Sequence, residues 1–447
     1  MLASIKPFIA LYTSVLFLMT GVGLLNTYLG LRLSLEGVST QVTGIVLTAY
    51  FLGLTLGTFF CRPMIRRVGH IRSFTAFGAM LTCVVMCHDL YMSPLLWGIL
   101  RFVAGVVSIG LYTAIESWLN ECSEVDFRGR IFSVYMVVTY LGTTIGQKLL
   151  GLGNVQDHTL FMISGIFIVL SIVPVATTRG IHPELPRDEQ LALSTICRKA
   201  PLGLMGCFMA GVMQSGFYTM GPVFAHKIGM DMSQLSWFMA LVLGGGLLLQ
   251  WPVGMISDRF DRSLVLPLLG IFLAATAMAI VMFKVTNLPA LMGGSVLFGG
   301  FLFALYPVAV ARSHDLFDAD DVVKVSSVLL LAYGIGSILG PTAASSVMTY
   351  SQAPGFFYFF IAGSLGFALV ALGVRQKESV QIVPVEDQVD FVVMTDTSAV
   401  ALHMDPRTEE DSEADSEADP EQAFEASSEA ADSLKGGGME AVIPSKP

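Results

Sequence analysis

The chain has 447 residues, 54% hydrophobic and 13% charged, with a mean hydropathy of +0.69 and a formal net charge of −10. A soluble chain would carry about 25% charged residues, so this composition excludes a water-soluble globule. The charge is unevenly placed: from Arg375 onward 18 acidic residues stand against 5 basic ones, a balance of −13 that leaves +3 for residues 1–374.

The N-terminal run MLASIKPFIALYTSVLFLMTG lacks a clear small-residue cleavage site, and its apolar stretch continues to Leu29. It reads as an uncleaved first helix rather than a signal peptide. Hydropathy predicts twelve spans, over 7–29, 42–60, 73–91, 95–119, 131–151, 159–177, 201–224, 234–254, 264–284, 289–311, 325–350 and 356–374. Each has roughly the 20 residues that a helix needs to cross the ~30 Å hydrocarbon layer. The expected fold class is an all-α membrane protein.

The longest break between spans, TTRGIHPELPRDEQLALSTICRKAP, follows the sixth. The chain therefore divides into an N-terminal six-helix bundle (1–178), a central loop (179–200), a C-terminal six-helix bundle (201–374) and an acidic tail (375–447). The end of the tail is rich in like charge and is expected to be disordered. Residues 380–404 alternate apolar and polar positions, which leaves two readings open: one or two short strands docked on the inner face, or disorder.

With the N-terminus inside, the predicted inner segments hold fifteen Lys and Arg; the outer ones hold only Arg32, Lys227 and Lys284. That asymmetry predicts a multi-pass protein of the cell inner membrane with both termini cytoplasmic. Trp97 and Trp237 open spans at the outer face, and Trp118 and Trp251 lie near inner ends, as an aromatic belt requires.

The six cysteines are scattered, with no metal-binding spacing; Cys83 and Cys87 read as small apolar helix residues. No phosphate-binding loop, catalytic carboxylate pair or nucleophile elbow is visible. Neither an enzyme nor an ATP-driven pump is expected, and no cofactor, metal or nucleic acid is called for.

Two halves of the chain repeat one another. The basic loop CRPMIRRVGHIR (61–72) has a counterpart 192 residues later, in the stretch that holds GMISDRFDR (254–262). MTGVGLLNTY (19–28) aligns with MAGVMQSGFY (209–218), and LYTAIESWLNE (111–121) with LYPVAVARSHD (305–315). Gly142 and Gly146 meet Gly336 and Gly340 at the same offset as that last pair. Many secondary transporters are built from such duplicated units.

GMISDRFDR (254–262) resembles the Asp-Arg loop motif of the major facilitator superfamily, and the resemblance covers about 370 residues. ESWLN followed by RGRIFSVYMV, together with QWPVGMISDRFDR, is similar to the YcaD-like bacterial branch. The first copy departs from the motif with Arg66 where Asp is usual, and the second has Asp261 where Gly is common. The resemblance implies a substrate site between the halves, lined by spans one, four, seven and ten. It also implies loop contacts that form when the inner gate shuts.

Arg101 stands inside the fourth span. A cation there is costly and marks a functional site by default, and Arg101 with Gly105 is similar to the superfamily's fourth-helix Arg motif. Asn26, Tyr112, Gln214, Tyr218 and Tyr306 supply hydrogen-bonding groups on the spans that the resemblance assigns to the cavity. Lys148 lies at the depth of Arg101 on the adjacent span, either receiving an anion or snorkelling to the headgroups. Glu116, the one carboxylate well inside a span, either carries a proton or pairs with a loop arginine. Glu121 and Arg130, with Asp258, Arg259 and Arg262, are the candidate gate charges, and Asp258 is expected to accept from a helix N-terminus.

The two small-residue pairs, Gly142 with Gly146 and Gly336 with Gly340, are expected to admit close helix packing. Gly146 is followed by Gln147, not by the Pro of drug antiporters, which weighs against drug efflux. The leading expectation is a monomeric secondary transporter of a small organic anion or related metabolite, with proton coupling left open. Efflux of hydrophobic compounds and a receptor signalling through the acidic tail remain alternatives.

Overall fold

The structure is a computed structural model that describes residues 8–121, 123, 127–177, 193–317, 321–377, 383, 384, 388, 389 and 391. Among these residues all regular structure is helical. The N-terminal half contains α1 (Ile9–Leu35), α2 (Thr40–Val68), α3 (His70–Leu90), α4 (Pro94–Glu121), α5 (Arg128–Leu149) and α6 (Thr159–Ala176). A short helix, Leu193–Lys199, lies within the central loop. The C-terminal half contains α7 (Pro201–Lys227), α8 (Met232–Ser257), α9 (Arg262–Met282), α10 (Leu288–His314), α11 (Val322–Ser351) and α12 (Gly355–Lys377).

Ten of these helices are long and apolar enough to cross a membrane. The expectation was twelve spans, and the two that fall short are α5 and α7. α5 carries Gln147 and Lys148 in its last turns and α7 carries Gln214 among several glycines, and both helices line a central cavity, with Thr139 and Thr143 on α5 and Gln214 and Thr219 on α7. The end of the tail, where disorder was expected, and most of the central loop lie outside the described residues.

Helix ends follow local chemistry. Asp231 caps α8 by accepting from the Gln234 N–H while the Gln234 side chain accepts from the Asp231 N–H, a reciprocal capping box. Gly69, with φ of 92°, makes the tight α2–α3 turn in a region that L side chains rarely adopt.

Packing repeats as the sequence does. A Cβ on Gly53 would overlap the Phe102 carbonyl, and one on Gly105 the Tyr50 carbonyl, so α2 and α4 meet backbone to backbone. Their counterparts Gly245 and Gly299 bring α8 against α10 in the same way, at the Val296 and Val242 carbonyls. Gly146 sits against the Thr20 carbonyl, and Gly336 and Gly340 against those of Phe208 and Val212. The spaced glycines thus seat α5 on α1 and α11 on α7, as small residues do in membrane interfaces.

The helices run alternately between two faces. One, the loop face, carries the α2–α3 and α8–α9 turns, the short helix Leu193–Lys199 and both ends of the described chain. The halves meet through α1 with α7, α2 with α11 and α5 with α8. Their polar contacts gather toward the opposite face: Ser34 Oγ with His226 Nδ1 at 2.8 Å, Thr48 with Thr342 at 2.9 Å, and Ser236 Oγ donating to the Gln147 carbonyl at 2.8 Å.

A methyl group added at a backbone-to-backbone contact forces the helices apart. Gly299→Ala is expected to cost about 1–3 kcal/mol, as overpacking typically does. Gly244→Ala, with no atom within 4 Å of the new Cβ, serves as the control and is expected to be neutral or slightly stabilising. Thermal unfolding of the two variants in detergent checks the contrast.

Candidate functional site

A cavity of 130 Å³ lies at mid-depth between the halves, and a larger one of 420 Å³ extends from it toward the loop face. They share Phe51, Leu54 and Tyr112 and form one path. The larger chamber is bounded by α2 and α11, whose contact near the opposite face opens toward the loop face.

Six of the seven side chains expected to bind substrate line the smaller chamber: Asn26, Arg101, Tyr112, Gln214, Tyr218 and Tyr306. They arrive from α1, α4, α7 and α10. Arg101 is 1% exposed; its Nη1 donates to Asn26 Oδ1 at 2.9 Å, and the guanidinium lies 4.2 Å from the Tyr50 ring centroid. Its Nε has no hydrogen-bond partner, and no acidic side chain among the described residues pairs with it. Asn26 and Tyr50 are neutral, so this buried cation is solvated by dipoles and a ring face and not by a counter-charge.

The C-terminal wall is tied together differently. Gln214 donates from Nε2 to the Leu302 carbonyl at 3.2 Å and accepts at Oε1 from the Tyr333 hydroxyl at 3.0 Å. Tyr306 packs edge-on against Tyr333 with centroids 5.1 Å apart. On the side between α5 and α8, Gln250 Nε2 donates to the Tyr140 hydroxyl at 3.2 Å and to the Phe303 carbonyl at 2.8 Å, joining the halves at mid-depth.

Lys148, the seventh residue, is elsewhere. It is exposed, and its Nζ sits 3.4 Å from the Trp237 ring centroid on the face opposite the loops. Glu116 is buried and accepts from the Tyr135 hydroxyl at 2.6 Å. It also stands within electrostatic reach of Arg62, as Arg66 does; both arginines line the larger chamber near the loop face.

The expected gate charges separate into a buried hub and exposed flanks. Arg259 and Arg130 are exposed, and Arg130 lies over the Phe127 ring. The Glu121 side chain lies outside the described residues. Arg262 is fully buried: Nε donates to Ser257 Oγ at 3.1 Å, Nη1 to Asp315 and Nη2 to Asp258, both at 2.5 Å. Burial pushes the Asp315 carboxyl up to about 6, against the opposing pull of Arg262, the Val389 N–H and Arg312. Asp258 takes Arg262 and no helix N-terminus. That role falls to Asp261, which directly precedes α9 and accepts from the Ser263 N–H at 2.9 Å. Asp258 instead ends α8, three residues too early to cap α9.

Reading the residues alone missed Tyr50, Tyr140, Tyr333 and Asp315. Tyr50 and Tyr333 lie on α2 and α11, which the resemblance does not assign to the cavity. Asp315 did carry a signal, because the repeat alignment sets it opposite Glu121.

A sequence model described as the Major Facilitator Superfamily matches residues 11–233 and 205–408. A protein of Yersinia pestis called "Uncharacterized MFS-type transporter" is 30% identical over 382 residues, covering 84% of this chain and 97% of its own. The Salmonella newport "Uncharacterized MFS-type transporter YcaD" is 30% identical over 376 residues, covering 83% and 96%. Among solved structures, a variant of the nucleoside transporter NupG matches with a TM-score of 0.69 at 12% identity, covering 82% of this chain and 99% of that one. A D-xylose–proton symporter matches at 0.63 and 12%, covering 86% and 99%. With matches along most of its length, this chain belongs to the Major Facilitator Superfamily and is a multi-pass membrane transporter, not an enzyme.

Proposed function

We propose that this transporter moves a small organic anion by alternating access, with the carboxylate held at Arg101 and Asn26 in the chamber between the halves. The observation that carries the reading is the uncompensated Arg101: a buried guanidinium with one bond to a neutral amide, a ring beneath it and a spare Nε in a cavity wall. Charged groups inside membrane proteins are costly unless paired, and an anionic solute supplies the missing partner. Tyr112, Gln214, Tyr218 and Tyr306 offer hydrogen bonds around the remainder of the solute, and Tyr50 holds the cation from below.

In this proposal twelve helices span the inner membrane, both termini and the loop face are cytoplasmic, and the chain works as a monomer. The path toward the loop face then makes the conformation inward-open, sealed outside by Ser34–His226, Thr48–Thr342 and Ser236–Gln147. Glu116, held by Tyr135 and facing Arg62, is the group we assign to a coupling proton. One observation favours a second reading: the larger chamber presents Phe51, Leu54, Phe59 and Leu331, a lining suited to export of hydrophobic compounds.

Arg101 separates these readings, and Arg262 serves as a contrast. A ligand that binds only the folded chain stabilises it by about 2.7 kcal/mol at a hundredfold excess over its Kd. Carboxylates are expected to raise the melting temperature of the wild type and not of Arg101→Gln. Neutral lipophiles acting equally on both would favour hydrophobic export and sink the anion site. Without ligand, Arg101→Gln is expected to melt no lower than wild type, since it removes a charge that lacks a counter-charge. Arg262→Gln breaks a buried pair and is expected to cost about 3–5 kcal/mol.

Orientation has its own test. In a background with Cys197 replaced by Ser, Arg259→Cys should react with a membrane-impermeant maleimide only in inverted vesicles. Lys284→Cys should react in intact cells. The opposite pattern would reverse the assignment of the faces.

A further inference from the structure

The hub at the α8–α9 turn holds one contact that gating does not explain. Arg262 Nη2 donates to the backbone carbonyl of Val389 at 2.5 Å, and the Val389 N–H donates to Asp315 Oδ1 at 3.1 Å. A single buried ion pair thus engages both main-chain groups of one tail residue. The Arg262 and Asp315 side chains are fully buried there, at 0% exposure each. Two residues on, the Phe391 ring fills the space beside Gly254: a Cβ at that glycine would overlap the ring. Phe391 packs against the hydrophobic core while Gln388 donates to the Val383 carbonyl at 3.4 Å. The tail is thus held at two points, by the Val389 backbone and by the Phe391 ring.

We propose that Gly254, Arg262 and Asp315 form a docking site for an extended peptide, and that its occupant is the chain's own tail at Val389–Phe391. Backbone donors and acceptors supply affinity without regard to sequence, and a pocket for one side chain sets the register, as in other extended-peptide sites. Gly254 admits Phe391 because it lacks a side chain. The eleven residues 378–388 join the segment to the end of α12, and a covalent link of that length makes docking intramolecular, which raises its effective concentration. Docking straps the α8–α9 turn to the end of α10 through Arg262 and Asp315. The site stands whichever solute the cavity carries.

Hydrogen exchange of the full-length chain, followed by mass spectrometry, tests the strap. In wild type the Val389 amide is expected to exchange at least about tenfold more slowly than amides of the acidic run 409–421, as a docked segment does relative to a solvated one. Phe391→Ala should remove that protection and speed exchange in 254–263. Val389→Pro, which deletes the N–H donor, should do the same without touching the aromatic contact. A labelled peptide of residues 383–395 should bind full-length Phe391→Ala, whose site is vacant, and not wild type, whose site is filled. Gly254→Val combined with Phe391→Ala should abolish that binding. Equally fast exchange at Val389 and in the acidic run, or equal peptide binding to wild type and Phe391→Ala, would overturn the proposal.

Discussion

A guanidinium cannot stay bare inside a low-dielectric bundle, and the way two buried arginines, Arg262 and Arg101, are satisfied organises this transporter. Arg262 is tied down by four bonds, to Ser257, Asp258, Asp315 and the Val389 carbonyl. Arg101 is left open: it bonds to Asn26 and lies over the Tyr50 ring, and no acidic side chain among the described residues pairs with it. Removing one partner of a buried ion pair strands the other, so the first arrangement holds structure together. The second keeps a cation in reserve, in the wall of a cavity.

Both arrangements depend on the duplicated scaffold. Backbone-to-backbone glycine contacts fix α2 on α4 and α8 on α10, and they bring Tyr50 beneath Arg101 by seating Gly105 on the Tyr50 carbonyl. The two halves have nevertheless diverged at the loop face. In the second half Asp258, Arg262 and Asp315 close a compact network that the tail completes. The first half has Arg66 at the position where the motif usually has Asp, and there Arg62 and Arg66 line the chamber. One half carries the buried hub; the other presents positive charge to the path that a solute would take.

Much of this was legible in the residues. The repeat and the break after the sixth span could be read because hydropathy and spacing are local signals; the cavity set came from a charge inside a span together with what the family resemblance implies for spans one, four, seven and ten. Asn26, Arg101, Tyr112, Gln214, Tyr218 and Tyr306 all line the chamber. What could not be read depends on rotation and register between helices. Lys148 shares its depth with Arg101 yet turns outward to Trp237. Tyr50 and Tyr333 resemble ordinary core aromatics until α2 and α11 are seen flanking the path. The choice of Asp261 over Asp258 as the cap of α9 turned on one helix boundary. Residues 380–404 left strand and disorder open, and at Val389 and Phe391 the described tail makes its contacts through a backbone and one ring without a strand.

The central claim is that an anionic group of the solute completes Arg101. A structure determined with a brominated carboxylate, located by the anomalous signal of bromine, tests it most directly. The expected result is a carboxylate on the Arg101 guanidinium, bordered by Asn26 and Tyr50, with the bromine directed toward Tyr218 and Tyr306. Bromine confined to the larger chamber, with Arg101 still bonded to Asn26 alone, would contradict it.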